Sequence, residues 1–171
     1  MDEQDEARAG PELEALAGKV SEFEYPFIVA MHGFSNWVVH CAEAAGARGL
    51  GALDVLVLHA IHIRARDGRL ADICLVLNIE DSHVVSYSLK KLIDYGYAEY
   101  RQHGRDRLYR PTADGEDLCK RYLELRKEAL VTGLSLDGAD LEAISAAGRA
   151  LTRLAGYYAQ ASRTAAVLSR K

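Results

Sequence analysis

Residues 70–110 read LADICLVLNIEDSHVVSYSLKKLIDYGYAEYRQHGRDRLYR, and the order of elements in this stretch decides the fold. Leu70 to Leu77 is a short apolar block that reads as a short helix, followed by Asn78-Ile79. Asp81 or Ser82 then offers a side-chain oxygen to the open N–H groups of a new helix. That helix runs to Tyr95 and stops at Gly96, a residue free to take the left-handed conformation that ends helices. Val85, Leu89, Leu92 and Ile93 mark its buried face, which leaves His83, Val84, Ser86, Tyr87, Lys90 and Lys91 outside. Tyr97 to Gln102 and Arg107 to Arg110 read as two strands bracketing the polar turn His103-Gly104-Arg105-Asp106, a β-hairpin.

Outward from this centre the pattern stays helical. Ala52 to Arg64 is strongly apolar and ends before a turn at Asp67-Gly68. Upstream of it a helix is expected to start at Pro26, where a missing N–H costs nothing in the first turn, and to end near Gly46. Phe27, Met31, Phe34, Val38, Cys41 and Ala45 form its stripe, while Ile28, Trp37 and Val39 add apolar surface elsewhere, so the helix needs cover on more than one side. The first ten residues are acidic and poor in large apolar groups and are expected to be disordered, with at most a short helix near Leu13 to Val20.

Downstream, Thr112 is positioned to cap a helix striped by Leu118, Tyr122, Leu125 and Ala129. A last helix from about Asp137 to Leu168 carries Leu141, Ile144, Gly148, Leu151, Ala155 and Tyr158 at alternating steps of three and four. That seven-residue beat belongs to helices packed nearly parallel to one another. The expected fold is mainly α with a small β-hairpin wing: a winged helix-turn-helix core with N- and C-terminal dimerisation helices. Residues 1–20 form an acidic, partly disordered tail, 21–50 the N-terminal dimerisation helix, 51–112 the winged helix-turn-helix, and 113–171 the C-terminal dimerisation helices.

Charge is distributed rather than concentrated in the whole. The net charge is −4, so the chain is no general polycation, and residues 1–24 hold eight acids against Arg8 and Lys19. From His83 to Pro111 the balance reverses, with Lys90, Lys91, Arg101, Arg105, Arg107 and Arg110 against Asp94, Glu99 and Asp106. The B-DNA major groove admits one α-helix, so Ser82, His83, Val84, Ser86 and Tyr87 are the candidates to meet base edges, with Lys90 and Lys91 on phosphates. Arg101, Arg105 and Arg107 on the hairpin are the candidates for the adjacent minor groove and backbone.

Other chemistry finds little support. No apolar run approaches the roughly 20 residues of a membrane span, and the acidic start is unlike a secretory signal, so a cytoplasmic location is expected. Cys41, Cys74 and Cys119 lie far apart without a C-x-x-C pair and read as buried thiols, with redox sensing left open. His59 and His62, three apart on a helix, lack a third ligand, and no nucleophile elbow or phosphate loop is present, so neither a metal, a cofactor nor catalysis is expected.

Four segments between residues 51 and about 130 resemble the MarR family of transcription regulators. Leu70–Ile79 is similar to the family's first helix-turn-helix element, and Asp81–Ser86 with Leu89, Leu92 and Gly96 to its recognition helix. Arg105-Asp106-Arg107 resembles the wing tip, and Pro111–Leu118 the segment opening the next helix. The resemblance implies a homodimer on a pseudo-palindromic operator in double-stranded DNA. It also implies a small-molecule effector held between the dimer helices and the winged domain, where Trp37, His40, His59 and His62 are the candidates. The alternative is a winged-helix module used for protein contact, with DNA binding lost.

Overall fold

The computed structural model describes residues 3–63, 68–132 and 137–169. Six helices and three strands follow in the order α1 (Glu3–Ala44), α2 (Ala52–Ile63), β1 (Gly68–Arg69), α3 (Leu70–Leu77), α4 (Ser82–Asp94), β2 (Ala98–His103), β3 (Asp106–Pro111), α5 (Ala113–Arg126) and α6 (Gly138–Leu168). A π-helical turn, Lys127–Val131, extends α5. The turn expected at Asp67, and the helix end expected at Arg64, lie outside the described residues.

α2 occupies the centre because its sequence leaves it no polar face: Val55, Val57, Leu58, Ala60 and Ile61 are all buried. It packs against α1, α3, α4, α5 and β3. Val38 and Cys41 of α1 and Ala45 just after it join this core, as do Ile73 of α3, Val85, Leu89 and Leu92 of α4, and Leu118, Cys119 and Tyr122 of α5. Burial pushes the Cys119 thiol up to about 12 and raises that of Cys41 as well, so both stay protonated and unreactive at neutral pH.

The helix-turn-helix follows the expected chemistry closely. Asn78, at φ 53°, takes the left-handed conformation that ends α3, and its successor Ile79 donates its N–H to the Cys74 carbonyl at 2.9 Å. Asp81 is the cap of α4, its Oδ1 accepting the His83 N–H at 2.9 Å. Gly96, at φ 80°, turns the chain away from α4 into the wing.

The wing differs from the expected two-stranded hairpin. β3 is the middle of three antiparallel strands, with β1 pairing Gly68 to Tyr109 and Arg69 to Leu108. Two residues are too short to show a period, so β1 leaves no trace in the sequence pattern. The β2–β3 ladder reaches His103 and Asp106, reducing the expected four-residue turn to Gly104-Arg105. Gly104 sits at φ 62° while Arg105 does not have a positive φ, the requirement of a type II′ hairpin turn, which follows the twist of its strands.

The N-terminal helix also departs from expectation. Instead of starting at Pro26 after a disordered tail, α1 begins at Glu3 and passes through both Pro11 and Pro26. A mid-helix proline costs about 3 kcal/mol. The apolar seam Leu13, Leu16, Val20, Phe23, Phe27, Ala30 and Phe34 keeps its steps of three and four in phase across Pro26, although most of it is exposed in the single chain. Phe23 and Phe27 stack on either side of that proline with ring centroids 5.8 Å apart.

α6 begins where its sequence says, capped by Asp137, whose Oδ1 accepts the Asp140 N–H at 2.9 Å. Among its described residues none is buried. Its apolar stripe faces solvent in the single chain, with Leu141 and Ile144 more than half exposed. One hydrogen bond, from the Tyr158 hydroxyl to Glu24 Oε1 at 3.0 Å, joins it to α1.

The junction of wing and α5 is tight. Thr112 Oγ1 donates to the Gly96 carbonyl at 2.6 Å and accepts the Gly115 N–H at 3.1 Å, while its own N–H donates to the Tyr97 carbonyl at 3.1 Å. A Cβ on Gly115 would overlap that Tyr97 carbonyl and stand 3.3 Å from the Pro111 Cβ. Gly115→Ala is expected to lower unfolding stability by about 1–3 kcal/mol, as overpacking against backbone does, measured as a drop in the urea midpoint.

Candidate nucleic-acid interface

The α4 cap sets which side chains face out. With Val85, Ser88, Leu89 and Leu92 buried, Ser82, His83, Val84, Tyr87 and Lys90 stand exposed along the opposite side, and Ser86 is half-buried between them. Tyr87 is 70% exposed, which removes packing as its role within one chain. The sequence reading missed the burial of Ser88 because a lone serine carries no apolar signal.

Lys91 is placed differently from Lys90. Its Nζ lies 2.8 Å from Asp54 Oδ2, and Asp54 is buried at the start of α2. Burial works to raise the Asp54 carboxyl, but hydrogen bonds from Lys91, Ser88 and the Gly51 N–H outweigh it and hold the carboxyl below its usual range. Lys91 is raised in turn, chiefly by its bond to Asp54. The Lys91 ammonium is thus paired with Asp54 while its side chain stays partly exposed, and Lys90 is the outward, exposed lysine of the two.

The wing sorts its arginines by strand alternation. Arg107, Tyr100 and Tyr109 share one face: the Arg107 guanidinium sits 4.6 Å from the centre of the Tyr100 ring, and the two tyrosine rings are 5.9 Å apart. A guanidinium over an aromatic face is held without losing its charge. Arg101 lies on the other face, with Leu108, Glu99 and Arg110, where Arg110 Nη2 pairs with Glu99 Oε1 at 2.8 Å.

Two open clefts flank the wing. One, of about 800 Å³, is lined by Arg69, Leu70 and Cys74 around α3, Ser82 at the start of α4, and Arg105, Arg107 and Tyr109 of the wing. It puts the beginning of α4 and the basic wing turn on a single surface. Arg69, at 3.4 Å from Asp106, joins them there and was missed because it belongs to the unseen strand β1. The other cleft, of about 890 Å³, lies behind the wing between Ile61 and His62 of α2, Arg101 and Arg110, and Thr112 and Glu116 by α5. Arg101 thus stands apart from Arg105 and Arg107.

The four effector candidates occupy different surroundings. Trp37 is half-buried against the core, His40 is exposed on α1, and His62 lines the cleft behind the wing. His59 packs edge-on against Tyr122, with ring centroids 4.6 Å apart. Burial first, then the neighbouring His62 and Arg126, lowers its pKa. Among the described residues no group of three or more His, Cys, Asp or Glu is placed to hold a metal ion, and no helix is long and apolar enough to cross a membrane.

Residues 50–115 match the family model of the winged helix DNA-binding domain. Among curated proteins no sequence matches the chain. Among solved structures, a MarR family transcription regulator superposes with a TM-score of 0.66 at 17% identity, covering 87% of this chain and 98% of that one. A MarR transcriptional regulator from Methanosarcina mazei Go1 gives 0.63 at 18% identity, covering 77% and 88%. A mutant MarR from E. coli complexed with operator DNA gives 0.63 at 13% identity, covering 78% and 95%. The likeness is one of fold: a winged helix domain set between N- and C-terminal helices.

His59 makes stability depend on pH in a definite direction. The folded chain resists protonating it, while the unfolded chain takes up a proton below about 6.5. Its contribution is therefore complete above that value and declines as the pH falls through it. The melting temperature is expected to fall between pH 7 and pH 5, and His59→Phe, which keeps a ring against Tyr122, to flatten that slope; equal slopes in both proteins would show that His59 is not the group responsible.

Proposed function

We propose that the chain, built on the winged helix fold of the MarR structures, is a sequence-specific DNA-binding transcription regulator that acts as a homodimer on a pseudo-palindromic operator. The observation that carries this is the shared surface of α4 and the wing. Ser82, Arg69, Arg105 and Arg107 line one open cleft, and His83, Tyr87 and Lys90 continue outward from it along α4. A helix face and a cationic hairpin presented together suit a major groove and the backbone or minor groove beside it.

The dimer rests on uncovered apolar area. Leu141, Ile144, Leu151 and Tyr158 on α6, and Ile28, Met31 and Phe34 on α1, are all between 38% and 56% exposed. Patches of that kind on helices with a regular apolar seam are covered by a partner of the same pattern, here a second copy. Two copies also present two α4 helices, which gives the affinity one short helix lacks. An effector that alters this pairing is part of the proposal, with the cleft that His62 lines as its candidate site.

Fluorescence anisotropy with duplexes from the chain's own upstream region tests the reading. Lys90→Glu and Arg107→Glu are each expected to weaken binding and to reduce the slope of log affinity against log salt by about 0.9 for each lost phosphate contact. Ile144→Glu with Leu151→Glu is expected to give a monomer in sedimentation equilibrium, with the affinity for a full operator falling to that for a half-site. A folded, dimeric wild type that binds no duplex would favour the protein-contact alternative.

A further inference from the structure

One carboxylate oxygen ties together three parts of the chain. Asp54 Oδ2 accepts the Gly51 N–H at 2.8 Å and the Lys91 ammonium at 2.8 Å. Ser88, three residues before Lys91 and on the same side of α4, is buried there and helps hold that carboxyl below its usual range. Gly51 ends the connection that leads from α1 into α2. That connection also meets the last turn of α4 one step further on, where a Cβ on Gly49, at φ 82°, would lie 2.8 Å from the Tyr95 hydroxyl. At its upstream end the connection is anchored to α5, since Arg121 Nε donates to the Ala45 carbonyl at 2.7 Å.

These contacts make the connection a fixed joint between α1 and α4. Charge-assisted hydrogen bonds are short and directional, and a carboxylate that is 5% exposed is held tightly to whatever partners it has. Lys91 and Tyr95 are four apart, so both meet the joint from the same side of α4. Lys90, one residue earlier, points outward and makes no part of it.

We propose that Asp54 and Lys91 are a positioning pair that fixes the angle of α4 against the α1–α2 connection, so that the presentation of its outward face is set by the helix carrying the dimer contact. This rests on the DNA-binding reading above. It assigns Lys91 a role through Asp54 in place of a phosphate contact.

The two roles give different salt dependences. Lys91→Met is expected to lower operator affinity by about tenfold and to reduce the ratio of operator to random-duplex binding, with the wild-type salt slope retained. Lys90→Met is expected instead to lose about 0.9 from that slope, with the ratio kept. Amide hydrogen exchange on the DNA-free protein is expected to quicken across Leu89–Tyr95 in Lys91→Met and not in Lys90→Met. Asp54→Asn with Lys91→Met, which removes both charges, should fold even if the single variant does not, and should show the same loss of discrimination. A Lys91→Met slope reduced by about 0.9, or affinity and exchange both equal to wild type, would overturn the proposal. If the wild-type chain binds no duplex, the DNA reading fails on that result alone, and the exchange rates still decide the joint: quickened supports it, unchanged overturns it.

Discussion

α2 is apolar on nearly every side, and a helix of that kind persists in water only when other elements enclose it. Here α1, α3, α4, α5 and the middle strand of the wing each contribute a side of the enclosure. The placement of α4 follows from this. Val85, Leu89 and Leu92 turn toward the core because α2 needs them, and the 3.6-residue period then directs His83, Tyr87 and Lys90 the other way. The exposed face is thus a consequence of core packing, and the cap at Asp81 fixes where it begins.

The one charged residue buried on α2 sits at its first turn. Asp54 would be costly there alone, since an unpaired buried carboxylate loses hydration that nothing replaces. Lys91 and the Gly51 N–H supply what water would have, and in doing so they attach the exit of α4 to the entry of α2. The wing is attached at the other side by Thr112, whose hydroxyl and N–H serve the Gly96 and Tyr97 carbonyls. Between these polar attachments α4 and the wing form a single body, which is why Ser82, Arg105 and Arg107 come to line one cleft.

The helices outside this body follow a different rule. Val38 and Cys41 of α1, and Ala45 just after it, belong to the core, whereas Met31 and Phe34, on the same expected stripe, are exposed in the single chain. The stripe divides because the winged domain covers only the last turns of a 42-residue helix. α6 has no share in the core at all. Apolar periodicity on these helices therefore reports a need for cover without saying which molecule provides it, and the π-helical end of α5 leaves Ala129 exposed although it continues the stripe of Leu118 and Tyr122.

Local chemistry was legible in the sequence wherever one residue type has a single backbone consequence. Asp81, Gly96, Thr112 and Asp137 each stand at the helix ends their side chains or flexibility dictate, and α3, α4 and α6 have the bounds their apolar periods require. At Pro26 the local signal misled, since the helix runs on through the proline with its apolar seam in phase. Three features depended on residues distant in sequence and had no local signature. These are the strand β1 that exists only by pairing with β3, the separation of Arg101 from Arg107 by the pleat of the wing, and the withdrawal of Lys91 onto an aspartate 37 positions earlier. Sequence specifies which groups are charged and which face of a helix is apolar, because those depend on neighbours a turn away. Which charges stay free for a partner is decided only when the chain closes on itself, because folding brings the Asp54 carboxylate against one of them.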